Sequence, residues 1–138
     1  MAMQGRARPT AIALATALSV PAHVWAQDEC RTPRTQAEMN RCAHDALLAA
    51  RQRQAQAVRE LEQALSPGQR KSFRESQRAW ERWRTAQCAF ESSASTGGSV
   101  RPLVESQCAT RLTDARTAEI GRLSNCPEGD LGCPRRPR

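Results

Sequence analysis

The chain has 138 residues, 21 Lys+Arg against 14 Asp+Glu, and a formal net charge of +7. That length holds one domain. Six cysteines beside two histidines and no tyrosine speak for a cross-linked small domain and against acid–base catalysis.

Residues 1–26 read as a secretory signal. Arg6 and Arg8 form a basic start, and Ala11 to Val20 is an apolar run too short to span a bilayer. Val24-Trp25-Ala26 offers small residues where a signal peptidase reads, so cleavage is expected before Gln27. Gln27-Asp28-Glu29 is too polar for a lipidation box ahead of Cys30, so no membrane anchor is expected, and the expected location is the periplasm or outside the cell. Cleavage removes two arginines and leaves a mature domain of +5. All its basic residues but Lys71 and the neutral histidine are arginine. Such a surface favours an anionic partner, such as cell-wall polymer, lipid headgroup or acidic protein. Export removes nucleic acid from that list.

Thr35 and Glu38 make a capping-box pair at the start of a first helix. Met39, Cys42, Ala46, Ala50, Ala57, Leu61 and Leu65 then recur at helical spacing, with polar Gln54 interrupting the stripe. Ser66-Pro67-Gly68-Gln69 stops this helix and caps the next, so the two should form an antiparallel hairpin. The second helix sets Phe73, Gln77, Trp80, Arg84 and Cys88 on one face, with Trp83 at its margin. Trp80 is expected as the largest core side chain, with Arg84 either stacked along it or meeting a helix carboxyl end. Ser92 to Arg101 is a polar, glycine-containing loop. Pro102 opens a third helix, whose Leu103, Gln107, Cys108, Leu112, Ala115 and Leu123 share a face. Residues 126–138 read as a Pro/Arg-rich tail, disordered apart from a small Cys126–Cys133 loop. The expected fold is all-α: a domain over residues 27–125, built as a three-helix bundle stapled by disulfides.

Folding the second helix back on the third about Gly97-Gly98 brings Cys88 level with Cys108, and Cys30 is then left to Cys42. Folding the first helix onto the second also brings Cys42 near Cys88, which would leave Cys30 to Cys108. Geometry favours the first set and permits the second. No cysteines have zinc-ligand spacing and His44 stands alone in the mature chain, so neither a metal nor a cofactor is expected. Glu60 and Glu62 point to different faces of their helix, and Ser92, Ser93, Ser95 and Ser99 lack a nearby base. No catalytic residues are assigned, and the chain does not read as an enzyme. The most site-like segment is Gly97-Gly98-Ser99-Val100-Arg101, a loop held on two helices.

Taken together, Cys30, Thr35-Gln36-Ala37-Glu38-Met39-Asn40 with Cys42, Gln77-Arg78-Ala79-Trp80, Arg84, Cys88, Gly98-Ser99, Pro102, Cys108, Thr113 and Arg116 form a frame that resembles the LprI-like lysozyme-inhibitor family. The resemblance covers about Cys30 to Leu123. It implies a small helical domain outside the cytoplasm and, as a function, inhibition of lysozyme by protein–protein contact. The alternative is an envelope structural or stress-binding module that recognises cell-wall polymer or an envelope protein. The chain departs from the family pattern where Thr85 replaces an acidic residue after the motif arginine. It departs again where Gln54, Ala55 and Val58 replace an expected Leu-Asn and a later Tyr. Well-known lysozymes are basic, so steering would oppose their approach to a +5 domain. Contact would rest on a local fit, with Ser99 and Arg101 entering a cleft whose catalytic carboxylates are negative.

Overall fold

In a computed structural model, which describes residues 30–127 and 129–134, the chain forms three long α-helices. The signal segment and its cleavage site lie outside the described residues, as do residues 135–138. Helix α1 spans Gln36–Ala64, α2 spans Pro67–Glu91 and α3 spans Arg101–Ser124. A short 3-10 turn, Ser93–Ser95, lies between α2 and α3. The described residues hold no strand.

Both expected capping boxes are formed. Thr35 Oγ1 accepts from the Glu38 amide, and Glu38 accepts from the backbone of Arg34 and Thr35. Those backbone bonds hold the Glu38 carboxyl below its ordinary range. Ser66 and Gln69 repeat the arrangement at α2, with Pro67 in the first turn, where its missing amide leaves no bond unmade. The last turn of α1 carries no basic residue. Arg70 supplies the charge from α2 by donating to the carbonyls of Glu62 and Leu65, where a cation offsets the negative helix end.

The hairpin turn makes α1 and α2 antiparallel, but the two helices meet closely only near that turn. Helix α3 is the centre of the molecule. It runs parallel to α1, its principal packing partner, with Asn40 bonded to the Ser99 carbonyl at one end and Leu61 packed with Ile120 at the other. It runs antiparallel to α2. The core is Leu61, Leu65 and Ile120, flanked by Ala57, Val58, Phe73 and Leu123. Ala43, Leu47 and Ala50 continue the buried face of α1 towards its start.

Two expected faces shift. On α1, Ala46 is exposed, and Ala43 and Leu47 are buried in its place. On α3, Gln107 and Ala115 are exposed, and the buried line is Cys108, Thr113 and Ile120. Both helices pack chiefly on each other, so their buried faces follow that contact and not the longest apolar run. Trp80 is half-buried and does not head the core; Leu61, Ile120, Thr113 and Ser92 are the largest fully buried side chains.

The disulfides are Cys30–Cys42, Cys88–Cys108 and Cys126–Cys133. This is the first of the two pairing sets, and it follows from α2 folding onto α3. The last ring is closed beside the domain, where the Gln69 side-chain amide donates to the Pro134 carbonyl.

Candidate functional site

Three regions carry the polar side chains that sequence reasoning singled out. The first is the seam between α2 and α3. Along α2, Gln77, Trp80, Arg84 and Cys88 recur every three or four residues and so share the face turned to α3. Each meets a counterpart. Arg116 donates from Nε to Gln77 Oε1 at 2.7 Å, from Nη2 to Ser76 Oγ at 3.2 Å and from Nη1 to Glu119 at 2.7 Å. Arg84 Nη1 donates to Thr113 Oγ1 at 3.0 Å. The guanidiniums of Arg84 and Arg116 lie 4.9 and 6.0 Å from the Trp80 ring centre, within cation–π range. Cys88–Cys108 closes the far end, beside an Arg111–Glu91 ion pair; the Gln87 side-chain bond and then the Arg111 bond hold the Glu91 carboxyl low. Gln77, Trp80, Arg84, Thr113 and Arg116 are thus one clamp. Its polar atoms bond one another across two helices, and its role is to hold α2 on α3.

The second region is the loop from Ser92 to Arg101. Ser92 is fully buried and donates to Glu105 Oε1 at 3.0 Å, and Arg101 Nε donates to the same oxygen at 2.8 Å. The Arg101 bond and then the Ser92 bond keep the Glu105 carboxyl below its ordinary range. Gly97 sits at φ 79°, the left-handed region where a side chain is strained. A Cβ on Gly98 would lie 3.2 Å from the Ser95 carbonyl oxygen, so the tight turn favours glycine at both positions. Asn40 holds the Ser99 carbonyl at 2.9 Å. Ser99 is exposed at the tip. Arg101, expected as a free contact cation, is half-buried and paired to Glu105.

The third region is a groove of about 690 Å³ between α1 and α2, where the two helices part beyond the turn. Arg51 and Arg59 face it from α1, and Arg74, Arg78 and Arg84 from α2. Of its two carboxylates, Glu62 already accepts from Arg74 Nε and Nη2, at 2.8 Å each, a contact that lowers its pKa. Burial, and then the like charge of Arg51, lower the pKa of Arg84. Gln54 also lines the groove; it is 6% exposed, and its side-chain nitrogen has no hydrogen-bond partner. The resemblance marked Gln54, Ala55, Val58 and Thr85 as departures from pattern. The first three line this groove, and Thr85 lines the cavity that continues it towards Cys88 and Ala109. Sequence reasoning missed the groove itself. The interruption of the α1 stripe at Gln54 was its one visible sign.

Among the described residues, no group of three or more His, Cys, Asp or Glu side chains could hold a metal ion, and no helix is long and apolar enough to cross a membrane. Residues 27–120 match the lysozyme inhibitor LprI family. The chain belongs to that family. It is a family of lysozyme inhibitors and not of enzymes. The chain is also similar to an uncharacterized protein of Rhizobium meliloti (strain 1021), 28% identical over 138 residues, with 89% of this chain and 99% of the relative covered. No solved structure matches. For this LprI family member, three disulfides are consistent with a place outside the cytoplasm.

Proposed function

We propose that this protein is an exported inhibitor that acts on a lysozyme by protein–protein contact, through the loop from Ser92 to Arg101. Family membership supplies the target class. The observation that carries the reading is how firmly the loop is held. Cys88–Cys108 fixes its two stems, buried Ser92 and Arg101 share Glu105, and Asn40 grips Ser99 from α1. A loop ordered before docking loses little entropy on binding. Its tip residues Gly97, Gly98, Ser99 and Val100 are exposed and slim enough to enter a cleft. Arg101 sets the loop's positive charge; to reach a lysozyme carboxylate it exchanges Glu105 for that partner.

The test is inhibition of a panel of lysozymes by the purified mature protein and by Ser99→Trp, which adds bulk at an exposed tip. The variant should lose inhibition and keep the parent's melting temperature. If it inhibits as well as the parent, the loop is only a turn. If the parent inhibits no lysozyme in the panel, the target class is wrong.

A further inference from the structure

The groove between α1 and α2 has a donor surplus that the fold does not explain. Arg51, Arg59 and Arg78 line it without an ion pair among the described residues. Arg51 instead lines the groove together with Arg84, a second cation, whose pKa is lowered by burial and then by the like charge of Arg51. Arg84 has a structural reason to be there, its bond to Thr113; Arg51 has none. Beneath them the Gln54 amide nitrogen is buried without an acceptor, an arrangement that costs a folded protein stability and calls for a reason. Cations held against one another and an orphan donor in the same concavity are what a site for an anion looks like before the anion arrives.

We propose that this groove binds an acidic polypeptide segment, with carboxylates between Arg51 and Arg84 and an acceptor for the Gln54 amide. The lining distinguishes this ligand from a phosphate polymer. Ala55 and Val58 interleave with the arginines, and Glu81 stands on the α2 wall. A densely charged polyphosphate would meet that carboxylate and leave the apolar patches uncovered. Carboxylates spaced along a peptide, each on a short apolar stem, fit a wall of alternating charge and methyl groups. The groove is concave and basic. It therefore suits an extended acidic strand or tail of a partner, whereas the loop suits entry into a partner's cleft.

The experiment uses the mature protein and a short fluorescein-labelled peptide of alternating glutamate and alanine, read by fluorescence anisotropy. The glutamine-for-glutamate peptide is the neutral control, and inorganic polyphosphate is the competitor. Arg51→Glu should weaken peptide binding by about tenfold or more, since a close charge pair lost from a binding site costs at least about one factor of ten. Arg82→Glu, an exposed arginine of α2 outside the groove, makes the same change of net charge and should alter binding by less than about twofold. Arg51→Glu should keep or raise the melting temperature, because it removes a like charge facing Arg84, so the lost binding is not unfolding. Lysozyme inhibition by Arg51→Glu should match the parent, which separates this site from the loop. Three results would each overturn the proposal: no difference between the glutamate and glutamine peptides; equal losses in Arg51→Glu and Arg82→Glu, which would mean diffuse attraction; or polyphosphate binding tighter than peptide with the same dependence on Arg51, which would assign the groove to a phosphate polymer.

Discussion

Helix α2 has two faces that use arginine in opposite ways. Towards α3, Arg84 and Arg116 reach named acceptors and cover an indole ring, and Gln77, buried, is satisfied by Arg116. Towards α1, Arg78 lines open space with Arg51 and Arg59 opposite, above a buried amide nitrogen without a partner. The residue types are the same, so composition cannot separate the two faces; the difference is satisfaction. Polar groups that find partners within the chain are explained by folding. Those left unpaired in a concavity are costs that the fold carries for some other reason. The motif residues Gln77, Trp80, Arg84, Thr113 and Arg116 belong to the first kind: their polar groups are accounted for by the packing of α2 on α3.

The comparison breaks most easily at the disulfide. Replacing Cys88 and Cys108 together by Ser removes a link across the loop, and the chain-entropy cost is roughly 3 kcal/mol. Urea unfolding of the double variant should show that loss, and lysozyme inhibition should fall with it, because the loop's stems part. A double variant as stable as the parent would mean that the hydrogen-bonded clamp alone holds the seam. The clamp is tested next by Arg116→Met. The Arg116 side chain is 10% exposed, and removing its charge leaves the buried Gln77 carbonyl without its donor, at a cost of about 1–3 kcal/mol. Arg78→Met, on the other face of the same helix, should change stability by no more than about 0.5 kcal/mol. Equal losses at the two sites would erase the distinction between the faces.

How far the sequence carried the reading follows the same division. The helices, both capping boxes and the α2–α3 register were legible because they rest on local rules: cap residues three apart, side chains every three or four, cysteines levelled by a short loop. The Cys88–Cys108 pairing came from that register and holds. The faces of α1 and α3 were misjudged by a residue or so, because their partner is each other across most of the chain length and periodicity does not name a partner. Trp80 was expected at the core's centre by its size. It is half-buried instead, because two guanidiniums from the seam supply its cover and the apolar core lies nearer the hairpin turn, around Leu61 and Ile120. Arg101 looked free in the sequence because Glu105, four residues on, could as well have faced solvent. The groove was invisible because a hairpin implies contact between α1 and α2. Only the structure shows them parting, with α3 taking the place that α2 was expected to fill.

The smallest expected effect has the opposite sign. Gln54 sits mid-helix in α1, 6% exposed, with its amide nitrogen unpartnered. Methionine has nearly the same length and shape, keeps helix propensity and carries no donor to strand. Gln54→Met should therefore stabilise the domain by about 1 kcal/mol, the desolvation penalty returned when an unsatisfied buried group is removed. Thermal and urea unfolding both read that sign. The same variant should weaken binding of the acidic peptide, since it deletes a donor the ligand would satisfy. Gain in stability with loss of binding is the pattern of a residue kept for use at the expense of the fold. A variant that loses stability instead would show that the amide is satisfied, by water or by another rotamer. The groove would then be reduced to its arginines, and the contrast between the two faces of α2 would rest on charge pairing alone.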